Sequence, residues 1–80
     1  MASYRLTFKK PVTKEFQLIP KDDERRILKR TKALADDPRP MGCEKLSGQE
    51  RFRVRQGVYR IMYEIQDEKL VIVVVKVGHR

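Results

Sequence analysis

The first apolar pattern along the chain has a period of two. Tyr4, Leu6 and Phe8 alternate with Arg5, Thr7 and Lys9, which predicts a strand with one buried face. The period then lengthens. Val12, Phe16 and Ile19 follow at i, i+4 and i+7, and Pro11 suits a first helical turn, so a helix is expected there. Pro20 ends it, because its ring removes a donor and clashes with the preceding turn. A second helix opens at Asp22-Asp23-Glu24, acids favoured by the helix dipole. Ile27, Leu28, Thr31, Leu34 and Ala35 make its apolar face, and Asp37-Pro38 stops it. The two helices should form an antiparallel hairpin.

Pro38, Pro40, Gly42, Ser47 and Gly48 mark residues 38–50 as mostly loop. Strand patterns follow at 51–55, 58–66 and 69–77. Gln56-Gly57 serves as the first turn, and a two- or three-residue turn at Asp67 as the second. The stretch Leu70 to Val77 is apolar on both parities, which places it at the centre of the sheet. The first strand is expected at an edge. The predicted fold is α+β in the order β-α-α-β-β-β, a small antiparallel sheet packed against an N-terminal helical hairpin, with residues 1–80 as a single domain.

With Gln56-Gly57 at the tip, Phe52 faces Ile61 and Val54 faces Tyr59 on an apolar face. Arg53 faces Arg60, Arg51 faces Met62 and Arg55 faces Val58 on the other. A one-residue slip would bury arginines, so the faces are well specified. Opposed like charges cost a few tenths of a kcal/mol, roughly. The Arg53–Arg60 opposition therefore reads as a binding device, against the alternative of a tolerated surface accident. His79 and Arg80 should return to the same tip and complete a concave basic patch, with His79 held neutral by its cationic neighbours or acting as an ordinary surface residue.

Charge sharpens this picture. The chain has 80 residues, 19 Lys and Arg against 11 Asp and Glu, and a formal charge of +8. The excess comes from two acid-free stretches, residues 1–14 and residues 51–63, the second holding Arg51, Arg53, Arg55 and Arg60. Clustered cations attract a polyanion, although a solvated basic face is the plainer alternative. The longest apolar run, Leu70 to Val75, is too short to cross a bilayer, and the N-terminus shows no signal-peptide core. One cysteine and one histidine make neither a disulfide nor a structural zinc site. A cytoplasmic domain without metal or cofactor is expected.

Other chemistries find little support. Ser3, Ser47 and Cys43 have no base in view, the glycines are isolated, and no carboxylate pair is placed for proton transfer. RNA brings its own nucleophile, the 2′-hydroxyl, so an arginine cluster need only align it and stabilise the crowded phosphate. Arginine itself is a poor base.

The helix pair ending in LADDPRP, the segment EKLSG and the stretch FRVRQGVYRIMYEIQDEKLVIVVVKVGHR together resemble the RelE toxins of the RelE/ParE toxin–antitoxin superfamily. The ordered set R-x-R-x-G-x-Y-R-x-x-Y, an apolar strand and G-H-R carries the likeness, which runs from Tyr4 to Arg80. It implies a small sheet on a helical hairpin, an mRNA interferase that cuts message in the ribosomal A site without a metal, and a RelB-like antitoxin. It also implies roles for four arginines. Arg60 and Arg80 would stabilise the phosphate and leaving group, and Arg53 and Arg55 would handle the 2′-hydroxyl and neighbouring phosphates. Arg51 and His79 would add RNA contacts. RelE-like chains commonly continue past G-H-R to a tyrosine, and some have lysine where Arg53 and Arg55 stand. The expectation is therefore an endoribonuclease toxin or a shortened, weakly active form, with a ParE-like gyrase poison and a binding-only relative as alternatives.

Overall fold

A computed structural model describes residues 3–46 and 51–79. Its first strand, β1 (Arg5–Phe8), is followed by helix α1 (Lys10–Gln17), which carries Pro11 in its first turn. Helix α2 (Lys21–Asp36) begins with Asp22, Asp23 and Glu24, and the carbonyl of Pro20 accepts the Glu24 N–H at 2.9 Å. Both helices stand within a residue or two of where periodicity and proline place them. Then come β2 (Glu44–Lys45), β3 (Arg51–Gln56), β4 (Tyr59–Gln66) and β5 (Val71–His79).

These strands form one sheet in the order β1-β5-β4-β3-β2. It departs from the expected sheet in three ways. It is mixed, because β1 runs parallel to β5 while the other neighbours are antiparallel. A four-residue alternating segment says which face is buried but not which way its partner runs. The middle strand is β4, with β5 beside it. Finally, β2 lies where loop was expected, since two residues are too few to leave a periodic signature.

The two parities of β5 have a local explanation. Met62 lies opposite Lys76 while its neighbour Tyr63 lies opposite Val74, so Val75 is an extra residue in the ladder. This bulge shifts the inward set from Ile72 and Val74 to Val77, all buried. The β4–β5 connection is also longer than expected. Gln66 pairs with Val71, leaving residues 67–70 in the turn, with Leu70 at φ 54°.

One face of the sheet is covered by the helices. Val12, Ile27 and Leu34 meet Phe52, Val54, Ile61, Tyr63, Ile65, Ile72 and Val74 in a single cluster, and Thr31 of α2 is buried as well. Tyr63 is fully buried, stacks on Phe52 at 5.9 Å and donates to the Pro38 carbonyl at 2.7 Å. Burial raises its phenol well above the usual range. Two polar clamps tie the periphery. Asp67 accepts from Tyr4 at 2.6 Å and from Arg39 at 2.9 Å, joining the N-terminus, the α2–β2 loop and the β4–β5 turn. Glu15 of α1 accepts the Val77 N–H at 2.7 Å, satisfying β5 beyond the end of its pairing with β1.

Candidate nucleic-acid interface

The arginines stand on the face the helices leave uncovered, and the β3–β4 hairpin fixes their order. Its pairs are Gln56–Tyr59, Arg55–Arg60, Val54–Ile61, Arg53–Met62, Phe52–Tyr63 and Arg51–Glu64. The loop is therefore Gly57-Val58, two positions out of step across the hairpin from the expected pairing. Gly57 has φ +60° and Val58 does not take a positive φ, the pattern of a type II′ turn with glycine at its first central position. A Gln56-Gly57 loop would instead put Gln56 in the first central position, which favours a residue tolerant of positive φ. A shift of two leaves each face unchanged and alters every partner. Arg55, not Arg53, opposes Arg60; Arg53 opposes Met62; Arg51 opposes Glu64.

The new partners divide the cluster. Arg51 is held by Glu64 at 2.9 Å, and Arg53 by Glu44 of β2 at 2.5 Å. Arg55 and Arg60 have no ion-pair or hydrogen-bond partner among the described residues. Glu44 still feels them: the hydrogen bond and charge of Arg53 lower its pKa, and Arg55 and Arg60 add to the shift. On the far side of Arg60 stands Gly78, which presents no side chain, and Lys76 lies opposite Met62 on the same face. The result is a shallow open surface with two unpartnered guanidiniums at its centre.

His79 is not part of it. It pairs with Tyr59, whose ring faces the core, and the two rings meet edge to face at 5.3 Å. The imidazole thus sits at the rim of the helix-covered face, displaced by the ladder's alternation from where the sequence put it. Arg80 lies outside the described residues. Tyr59 is a buried core aromatic, as its parity suggested, and Tyr63 on the same face is buried with it.

Glu44, Lys76 and Arg30 were missed from the sequence. Glu44 belongs to the undetected β2, and Lys76 reaches the uncovered face only through the bulge. Arg30 had a legible signal, for it stands three residues after Ile27 and four before Leu34, beside the buried stripe of α2. Among the described residues no three His, Cys, Asp or Glu side chains are grouped to hold a metal, and no helix is long and apolar enough to cross a membrane. The surface can bind and neutralise phosphate oxygens; a guanidinium cannot act as a base at neutral pH.

Comparison with known proteins agrees with this geometry. Residues 4–80 match the family model of the ParE toxin of type II toxin–antitoxin systems. The chain is 31% identical over 80 residues to a protein of Escherichia coli described as RelE-like toxin, covering 96% of this chain and 83% of that one. The archaeal RelE–RelB complex of Pyrococcus horikoshii gives a TM-score of 0.84 at 30% identity, covering 98% of this chain and 96% of the other. The RelBE2 complex of Mycobacterium tuberculosis gives 0.88 at 24% identity, covering 100% and 94%, a likeness of fold. The chain thus belongs to the ParE-toxin family and is a RelE-like toxin of the RelE/ParE superfamily of type II toxin–antitoxin systems.

Proposed function

We propose that this toxin is a ribosome-dependent mRNA endonuclease, acting in the cytoplasm as a single domain and neutralised by a RelB-like antitoxin. The observation that carries the reading is the Arg55–Arg60 opposition, two arginines paired across the hairpin on an uncovered face with no ion-pair partner among the described residues. Such a pair suits a phosphate passing through a doubly charged, five-coordinate state, where planar charge-assisted donors gain most. In the reaction the 2′-oxygen attacks the adjacent phosphorus, the P–O2′ bond forms and the P–O5′ bond breaks. The products are a 2′,3′-cyclic phosphate and a 5′-hydroxyl, with one proton moving in net from the 2′- to the 5′-oxygen. Arg60 and Arg55 hold the non-bridging oxygens. Arg53 and Arg51 meet flanking phosphates, and Arg80 is assigned to the leaving group by family likeness. The carboxylates on this face, Glu64 and Glu44, are engaged by Arg51 and Arg53, so solvent carries the proton between the two oxygens. A RelB-like antitoxin follows from the solved relatives, which are RelE–RelB complexes.

In vitro translation with purified protein, followed by primer extension on the message, tests this. Cuts confined to ribosome-bound mRNA are expected; an intact message would overturn it. The match to a ParE model favours a second reading, a gyrase-directed toxin, for which gyrase-dependent DNA breaks are the readout.

A further inference from the structure

Among the described residues β2 pairs with Phe52 and Arg53 alone, so the last three residues of β3 meet no described strand on that side. A cleft of about 440 Å³ lies along it, lined by Arg30, Gly42, Glu44, Arg53, Val54 and Arg55. Three guanidiniums and one carboxylate line this space, and the carboxylate is committed to Arg53. Arg30 reaches the cleft from α2. Its Nε–H is buried without a hydrogen-bond acceptor, and the side chain has no ion-pair partner among the described residues. An unsatisfied buried donor is costly and uncommon, although Arg30 as a whole is half-buried. Arg55 borders both this cleft and the uncovered face, making the two surfaces continuous.

We infer that the cleft is a second anion seat, in which Arg30 holds a phosphodiester of the same single-stranded RNA that crosses Arg60, with Arg55 standing between this phosphate and the one at Arg60. The inference rests on the RNA reading above but not on cleavage. A polymer with repeating phosphates can occupy the uncovered face and then turn over this edge of β3 towards α2. Glu44 opposes the incoming phosphate and keeps Arg53 engaged while the seat is vacant. The contact positions the strand; it reads no base.

A labelled, 2′-O-methylated single-stranded oligonucleotide, which cannot be cut, is the probe, with affinity read by fluorescence anisotropy across a salt series. Arg30→Gln should weaken binding about tenfold and flatten the log–log salt dependence by about 1. Glu44→Gln should tighten it. Arg25→Gln removes the same charge from an exposed position on another face of α2 and should have a much smaller effect. Arg30→Lys should recover part of the loss. In the unmodified protein, the Arg30 Nε–H resonance should shift when the oligonucleotide is added, an observation that needs no variant to fold. Equal effects of Arg30→Gln and Arg25→Gln, an unmoved Nε–H resonance or no binding by the unmodified protein would each overturn the seat. Arg30-dependent binding by a protein that cuts no ribosome-bound message would leave the seat standing and remove the nuclease reading. Cutting with Arg30-independent binding would do the reverse.

Discussion

On β1 and β5 the uncovered face of the sheet carries the half-buried Thr7, Val71 and Val73, with Arg5 at one end and Lys76 beyond the bulge; on β3 and β4 it carries Arg51, Arg53, Arg55 and Arg60 beside Met62 and Glu64. The two halves belong to one continuous ladder with one helix-covered core beneath. They differ in what holds them. The β1–β5 half is stabilised by side chains that agree with their neighbours. The β3–β4 half tolerates a direct Arg–Arg opposition and relieves the rest with acids supplied from β2 and from further along β4. Fold stability and the proposed phosphate contacts are thus carried by different parts of the sheet, and a mutation in one half should leave the readout of the other nearly unchanged.

The sharpest test of that separation is at Arg60. Arg60→Ala should lower cleavage of ribosome-bound message by ~10²-fold or more, with a melting temperature close to that of the unmodified protein. A folded Arg60→Ala protein that still cuts would break the assignment. The opposite experiment is Ile72→Ala on β5. This residue has no exposed surface, and the change should cost about 2–4 kcal/mol in urea unfolding while leaving activity per folded molecule unaltered.

Smaller effects test the register. Arg55→Glu places a carboxylate opposite Arg60 and should stabilise by roughly 0.5 kcal/mol while abolishing RNA binding. Arg53→Glu instead sets two carboxylates together at Glu44 and should destabilise by a comparable amount, roughly 0.5 kcal/mol. Opposite signs in paired denaturation curves are required; equal signs would return the hairpin to a different pairing.

The smallest effect concerns pH. Arg39 and Tyr4 hold the Asp67 carboxyl below its ordinary range, and Arg53 does the same for Glu44. Their contribution is complete above the ordinary carboxylate pKa and is lost as pH falls through the depressed value in the folded protein. Tyr4 has the reverse sign. Its bond to Asp67 raises the phenol, so that contribution is complete below about 10 and disappears as pH rises through the raised value. Asp67→Asn should therefore flatten part of the acid limb of a stability–pH curve, measured by thermal melts.

The hairpin shows how much of this was legible and where legibility stopped. Parity separates Phe52 and Val54 from Arg53 and Arg55 without help from tertiary structure. Parity is blind, however, to a displacement of two, and only the turn chemistry of Gly57 distinguishes Arg55 from Arg53 as the partner of Arg60. The bulge at Val75 is of the same kind: an apolar run on both parities was visible, but it reflected a change of inward set rather than a central strand. The helices were easier, because prolines and acids mark their ends directly. Of the residues expected at the site, Arg51, Arg53, Arg55 and Arg60 share one face, His79 is on the other, and Arg80 lies outside the described residues. The acid that engages Arg53 lay in a strand too short to announce itself.

The parallel pairing of β1 with β5 also sets an order of events. Thr7 and the Ile72 carbonyl, which its hydroxyl reaches across the strands, are 65 positions apart in the chain. The β3–β4 hairpin, by contrast, closes over a two-residue loop. Local closure is fast and long-range closure is entropically slow, so the arginine hairpin can form early but has no completed sheet behind it until β5 arrives. During synthesis the first strand emerges with its partner still to be made. The platform beneath the arginines is thus completed only when the last strand of the chain has closed on the first.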